Sequence, residues 1–472
     1  MNAKPAARLR TSGKVALTLL ASAGCFSATS YAQTATTPDV VAFLHANVIP
    51  MDTERVLRDQ TVVVVNGEIV ALGASSAVEV PDGALRIDAS GRYLLPALCD
   101  MHVHLLGDAW KMMLSPAAQA ASTVMPDEQF LFPYLANGVT TVQVLSGTPE
   151  DLAVRERITR RELLGPRLIL APMIDGPRKA WPPPISIWVA DAAEARAAVL
   201  EAKRDGYDKI KAYSFLSRES YDAIVTAARE QGMDVIGHVP MALSVEYVIA
   251  AGQKLIAHSE ELGKHAHGDY SAQRIDYFAD LMVRNGVWMM PTLVTSRSIF
   301  ELFDDAAAVL GRPEAAYFRH ALEQGVWSFI ADKLYLPLPE QHRQSIRDGY
   351  HKFQRPLTRV FHEKGGKLLA GSDAPLPGLV PGFALHRELR ELVDVGLSPY
   401  AALRTSTTAP FEYLGESDRG TLAPGQHSDL LLVDANPLED IDALSKVAGV
   451  LVRGRWIGHA EIRQRMQQLA TP

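Results

Sequence analysis

"YLLPALCDMHVHL", residues 93–105, decides how the chain is read. An apolar run ends in two histidines one residue apart. In an extended strand, residues i and i+2 lie on one face. His102 and His104 therefore project together, with Asp100 two residues upstream. Buried polar groups need partners, and two neutral imidazoles on one face suit a metal ion better than an apolar core. An isolated HxH pair is weak evidence, so its weight depends on what the rest of the chain adds.

Working outward, seven further β-rich runs follow helical patterns, most of which end in Gly. They are "VTTVQVLSG" (139–147), "RLILAPMID" (167–175), "YDKIKAYS" (207–214), "DVIGHVP" (234–240), "KLIAHSE" (254–260), "VWMMPTLV" (287–294) and "KLLAGSDAP" (367–375). Eight such units in roughly 300 residues predict an α/β fold, a (β/α)8 TIM barrel over residues 93–412. Residues 300–355, rich in Ala, Leu, Phe and Arg, exceed an ordinary barrel loop and predict a helical insertion near the mouth, a candidate lid. Strand-and-turn text on both flanks, 33–92 and 413–472, predicts one small β-sandwich domain built from both ends.

The chain has 472 residues, of which 47% are hydrophobic, enough for a sizeable core. Its first stretch, "MNAKPAARLRTSGK", is basic; "VALTLLASAGCF" is apolar and too short to span a bilayer; "SATSYAQ" carries Ser30 and Ala32 in a small-x-Ala pattern. Residues 1–32 read as a secretory signal peptide cleaved after Ala32, which places the mature protein in the periplasm or outside the cell. The rival reading is a lipoprotein anchored through Cys25, with Ser22 standing where an aliphatic is usual. Removing residues 1–32 takes away Lys4, Arg8, Arg10 and Lys14 and no acid, so the formal net charge moves from −7 to −11. That balance argues against nucleic acid or an anionic membrane as partner. No transmembrane segment is expected, and a homo-oligomer stays open. One cysteine, Cys99, remains, which excludes an internal disulfide.

In such barrels the chemistry sits at the C-terminal ends of strands. His102 and His104 end the first strand, Lys211 lies on the fourth, His238 on the fifth, His258 on the sixth and Asp373 on the eighth. Any one of these alone reads as a satisfied core or rim residue; six polar residues in register on five strands do not. Among the other histidines, His265 and His267, in the loop after the sixth strand, are kept as substrate contacts. Cys99 points away from His102 if the strand is regular, and reads as a packed thiol.

The stretches "LLPALCDMHVHL", "KIKAYSFLS", "VIGHVP", "LIAHSEEL" and "LLAGSDAP", with "DLLLVDANPLEDI" and "VAGVLVRGRWI" after them, resemble the amidohydrolase superfamily over about residues 40–460. The text from "PMIDGPRKAWPP" to "VIGHVP" looks like its imidazolonepropionase-related branch, which is similar to metal-dependent Xaa-Pro dipeptidases and N-acyl-amino-acid hydrolases. Two departures, Ala97 in place of a usual Gly and Cys99 in place of an aliphatic, touch no ligand. The resemblance implies two divalent ions, zinc by preference, with His102, His104 and Asp373 on one and His238 and His258 on the other. It implies a CO2-derived carbamate on Lys211 as the bridge, with Lys209 the competing lysine deeper in the barrel. It also implies a bridging hydroxide as nucleophile and Asp373 as the group that accepts and returns its proton. Tyr213, two residues beyond Lys211, reads equally as a donor to the developing oxyanion or as a packed rim aromatic.

Arg178, Lys179 and Arg297, in loops after the third and seventh strands, read as clamps for a substrate carboxylate or as surface charge. The reaction expected is hydrolysis of an amide bond in a small-molecule or peptide-like substrate, such as a dipeptide or N-acyl amino acid. The alternatives are a one-metal cyclic amidohydrolase or deaminase, which has little use for Lys211, a lactone hydrolase, and a secreted binding barrel without catalysis. Protein exported from a bacterial host should have an intact mass that starts at Gln33; a retained N-terminus or a lipid on Cys25 contradicts the signal-peptide reading.

Overall fold

The computed structural model describes residues 40–105, 127–177, 181–317, 327–427 and 429–470. The expected signal segment with Cys25, and Arg178 and Lys179, lie outside the described residues. Both flanks meet in one eight-stranded sheet. Its strands are β1 (Val40–Val48), β2 (Leu57–Val65), β3 (Glu68–Ala74), β4 (Leu85–Asp88), β5 (Tyr93–Pro96) and three near the C-terminus, in an order that pairs β5 antiparallel with Leu430–Val433. Val62, Val64, Leu94, Leu430 and Leu432 belong to a core of its own.

The run "YLLPALCDMHVHL" is therefore not one strand. It breaks at Ala97: β5 joins the flanking sheet, and β6 (Leu98–Val103) opens a parallel α/β region. β6 pairs with β7 (Val139–Val144) and β7 with β8 (Arg167–Leu170). A second parallel sheet holds β9 (Met173–Asp175), β10 (Ser186–Trp188), β11 (Lys209–Ala212), β12 (Asp234–Gly237), β13 (Leu255–Ala257), β14 (Trp288–Met290) and β15 (Lys367–Leu368). The run read as the third strand is thus split into β8 and β9, and β10 is a short addition. The strands register as two sheets, not as one closed ladder. Backbone bonds nevertheless cross both edges: Asp208 N to Leu170 O at 2.9 Å on one side, Met101 N to Ala370 O at 2.9 Å and Asp373 N to His102 O at 2.8 Å on the other. The last three strands are β16 (Leu430–Val433), β17 (Val447–Val452) and β18 (Arg455–Gly458).

Alternation along these strands sends one set of side chains outward against the helices, Val103, Val144 and Ile256 among them, and another into an inner cluster with Cys99, Met101, Ile236, Leu255 and Met290. β6 is irregular. Asp100 pairs with Val142 and Val103 with Val144, so Met101 and His102 stand opposite the single residue Gln143. This bulge corrects the expectation that Cys99 faces away from His102. Both look inward, Cys99 low among apolar neighbours and His102 at the strand end. Burial pushes the Cys99 thiol up to about 12, in keeping with a packed thiol.

The insertion between β14 and β15 is helical, but begins at Leu293 rather than near 300. Trp327 donates from Nε1 to Pro375 O at 2.8 Å and Ser298 donates from Oγ to Pro377 O at 2.8 Å, so the insertion packs on the loop that follows Asp373. No helix among the described residues is long and apolar enough to cross a membrane.

The bulge depends on Gln143, whose Nε2 donates to Met101 O at 3.0 Å in a fully buried setting. Gln143→Leu leaves that carbonyl without a partner and should cost about 1–3 kcal/mol in urea unfolding; an unchanged midpoint would show that the bulge holds without it.

Candidate metal centre

At the ends of these strands four imidazoles form an arc. Ring centroids of His104 and His102 are 5.3 Å apart, those of His102 and His258 4.5 Å, and those of His258 and His238 5.0 Å. Asp373 stands against the arc. Its Oδ1 lies 3.0 Å from His104 Nε2 and 3.3 Å from His102 Nε2. Donor atoms of His102, His258 and Asp373 lie within 4.8 Å of one another. The expected ligands are thus brought together, with His258 closer to the His102–Asp373 group than the anticipated division into two sets suggests.

Backbone geometry at these strand ends is unusual. His258, Thr292 and Asp373 have φ of 68°, 49° and 55°, a left-handed region that non-glycine residues seldom adopt. Gly371 allows the approach of β6, since a Cβ there would lie 2.7 Å from His102 Cβ and 2.6 Å from Met290 Sδ. Asp100 does not face the arc. Its Oδ1 accepts from Ser372 N at 2.9 Å and its Oδ2 from Ser372 Oγ at 2.5 Å, so it ties the first strand to the eighth. Burial raises its carboxyl to about 7.

Three of the four rings are oriented through Nδ1 by a hydroxyl: His104 by Ser146 Oγ at 2.7 Å, His238 by Ser214 Oγ at 2.8 Å, and His258 by Thr292 Oγ1 at 2.7 Å. The Thr292 hydroxyl donates its proton to Pro291 O at 2.8 Å. It must therefore accept from His258 Nδ1–H, which leaves Nε2 with its lone pair. His238 Nδ1 also lies 3.2 Å from Oε1 of the buried Glu261, which Lys264 holds at 2.7 Å. His102 differs: it is fully buried, among the described residues neither ring nitrogen has a hydrogen-bond partner, and its Nε2 contact with Asp373 is close without being aligned. A buried orphan of this kind is costly unless a cation completes it. The donor set of neutral imidazoles and a carboxylate fits a divalent transition-type ion.

Electrostatics agree. Burial holds His102 and His238 well below the ordinary imidazole range, with Lys211 and His258 adding to the effect, and brings His258 down to about 4. His104 is also lowered, by burial first. All four are neutral lone-pair donors at pH 7. Burial raises Asp373, but the His104 hydrogen bond outweighs it, together with the positive charge of Lys211 and, at the acid pH where this carboxyl titrates, of protonated His258 and His104, and the carboxyl stays below its usual value. Lys211 is buried and brought down to about 8 by desolvation, and among the described residues its Nζ has no hydrogen-bond or ion-pair partner. Lys209 pairs with Asp234 at 3.0 Å and lies 4.5 Å from the Tyr413 ring centroid, which removes it from the arc.

Tyr213 stacks on His238 at 4.1 Å between centroids and accepts from Trp181 Nε1 at 2.9 Å, so its own O–H remains to be donated. Arg297 does not serve as a carboxylate clamp. Its guanidinium is taken by Glu301 at 2.9 Å and by the buried Glu391. His265 also sits apart from the arc, with Nε2 3.4 Å from Val239 O, beside His267. Sequence reading missed Ser146, Ser214, Thr292 and Glu261. Their only signal is position, within three residues beyond a strand end or a candidate ligand. It also missed Tyr335 of the insertion, a tyrosine in the field of Glu260, Asp373 and Tyr213.

A TIM-barrel-like α/β fold with a ring of histidines, an aspartate and a buried lysine at its strand ends defines a metal-site class of protein. The chain belongs to the amidohydrolase family, whose model matches residues 93–457. It is 34% identical over 133 residues to an imidazolonepropionase of Cupriavidus taiwanensis, a match covering 22% of this chain and 31% of that protein. It is 21% identical over 402 residues to adenine deaminase 3 of Rhizobium meliloti, covering 84% and 54%. The matches thus span about a third to half the length of these relatives. A solved Xaa-Pro dipeptidase with bound methionine in its active site shares the fold, with a TM-score of 0.66 and 22% identity over 89% of this chain and 100% of that one.

Thr292→Val keeps the β-branched shape but removes the oxygen that orients His258. Metal affinity should fall about 10–100-fold, and because the buried His258 Nδ1–H loses its acceptor stability should fall by about 1–3 kcal/mol. Unaltered affinity in a competition titration would show that His258 is not a ligand.

Proposed function

We propose that this chain hydrolyses amide C–N bonds in small peptide-like substrates, such as dipeptides or N-acyl amino acids, with two divalent ions. The observation that carries the proposal is the arc of four neutral imidazoles around one ionised carboxylate, with a buried lysine among them that has no hydrogen-bond or ion-pair partner among the described residues. The frame we infer is a closed (β/α)8 barrel over residues 93–412 and a sandwich folded from the flanking sheet. The bonds across both sheet edges and the separate core of the flank support it. Export after removal of residues 1–32 is part of the same proposal.

His102, His104, His238, His258 and Asp373 would hold the ions, which when bound supply Lewis acidity and lower the pKa of water. Lys211, as a carbamate, would bridge them. Its depressed pKa favours the neutral amine that reacts with CO2, and among the described residues no hydrogen-bond or ion-pair partner competes for its nitrogen, which lies 5.3 Å from the Tyr213 ring centroid. Gly237 keeps β12 close to it, since a Cβ there would lie 2.8 Å from Lys211 Cγ. Asp373 uses Oδ1 toward His102 and His104, while Oδ2 takes no hydrogen bond among the described residues. Oδ2 is then the atom that accepts the proton from the attacking water and passes it to the leaving nitrogen. The free O–H of Tyr213 points to a donor role toward the developing oxyanion.

One observation favours a second reading. The tight His102–His258–Asp373 group is sufficient for one ion, as a cyclic amidohydrolase or deaminase would use. That reading leaves the buried Lys211 without a task.

A panel of dipeptides and N-acyl amino acids should reveal turnover, and Asp373→Asn should lower kcat about 10²–10⁴-fold, the range for losing a general base. Turnover of no member of the panel, or full activity in the variant, would overturn the proposal.

A further inference from the structure

A cavity of about 270 Å3 lies apart from the arc, between the loop after β12, the end of the helix Ser259–His265 and the helix Ala272–Arg284. None of the six candidate ligands lines it. Its polar side chains are Ser244, Glu246, His265, His267 and Arg274, and its apolar lining includes Met241 and Phe278. The volume is below the roughly 300–1,000 Å3 of sites for drug-sized molecules, which limits an occupant to about the size of one amino acid.

The charges are arranged in a telling way. Arg274 and Glu246 are both half-buried and line the same cavity, yet they form no ion pair with each other. Arg274 spends one N–H on His265 O at 3.1 Å and lies over the Phe278 ring at 4.4 Å. Among the described residues its other donors have no hydrogen-bond partner and no direct ion pair, though its charge reaches Glu246 and Asp269. Glu246 accepts from the Tyr277 hydroxyl at 2.8 Å, with the Ser244 hydroxyl and its own backbone N–H also at the carboxylate, which leaves part of its acceptor capacity open. His265 gives its Nε2 proton to Val239 O, so its Nδ1 is an acceptor. The cavity therefore presents guanidinium donors without a hydrogen-bond partner, a carboxylate and an imidazole acceptor, together with apolar side chains.

We propose that this cavity is a binding site for a free α-amino acid with an apolar side chain. Its carboxylate would meet Arg274 in the bidentate geometry that guanidinium favours, and its ammonium would meet Glu246 and His265. The site stands independently of the hydrolase reading, because no candidate metal ligand takes part in it. Its occupant would still be felt at the arc. The helix Ser259–His265 carries Glu261 against His238 at one end and His265 in the cavity at the other.

The test is calorimetric titration of the full-length protein with L-leucine, with 4-methylpentanoate, which keeps only the acid, and with 3-methylbutylamine, which keeps only the base. None of these contains a bond the enzyme would hydrolyse. Leucine should bind at least tenfold more tightly than either partial probe. Arg274→Gln and Glu246→Gln should each weaken leucine at least tenfold, while Lys211→Ala should leave it unchanged. Because Arg274 also packs on Phe278, Met241→Asp at the exposed rim provides a variant that leaves the interior intact, and it too should weaken leucine. Equal binding of the acid alone, unchanged binding in both charge variants, or loss of binding in Lys211→Ala would each overturn the proposal, the last by placing the amino acid at the metal centre.

Discussion

One carboxylate oxygen, Asp373 Oδ1, is the point on which the strand ends converge. It lies within 3.3 Å of ring nitrogens on His102 and His104, from the opposite end of the parallel strand order. The interior below it is apolar, so it offers no water to satisfy four imidazoles and an amine. Neutral rings are the result of that burial, and neutral rings carry lone pairs. The arrangement is then stable only if those lone pairs are used. Three rings use Nδ1 on a hydroxyl, and this turns Nε2 inward. The fourth, His102, uses neither nitrogen on protein. A cation at the arc removes that deficit, and binding of this kind adds directly to folding stability.

The backbone is shaped to the same end. A bulge in β6 directs Met101 and His102 into the interior together, and three residues at the site adopt left-handed backbone at about 1–3 kcal/mol each. Such strain persists where surrounding structure over-determines it. Here the Asp100–Ser372 tie, the Gln143 bond to Met101 O, and the Thr292 hydroxyl held between Pro291 O and His258 do so. The geometry of the ligands is therefore inherited from strand pairing, not from the ligands' own preferences.

This division explains what the sequence could and could not reveal. The parallel α/β organisation is legible because each strand is a short, mostly apolar run, several of them following a helix that closes in glycine, as at Gly206 and Gly252, and the six candidate ligands are legible because they recur at strand ends. Strand ends themselves were blurred. "YLLPALCDMHVHL" reads as one strand because nothing in its composition marks Ala97 as the point where two sheets part. The bulge at His102 is invisible for a similar reason: it is set by the register of β7, a long-range partner. Arg297 looked like a substrate clamp because a sequence shows the charge and not its partners, here Glu301 and Glu391. Ser146, Ser214 and Thr292 went unnoticed because hydroxyls near strand ends are common, and only the ring they touch distinguishes them.

We propose that the buried arc is a two-ion site bridged through Lys211. Its most direct test is metal content by plasma mass spectrometry on purified full-length protein, with a chelator-stripped sample reloaded with zinc and bicarbonate in parallel. The account predicts about two ions per chain in the wild type, restored on reloading, and a marked loss in Lys211→Ala. One ion per chain that is indifferent to Lys211→Ala would contradict it and favour the His102–His258–Asp373 group acting alone.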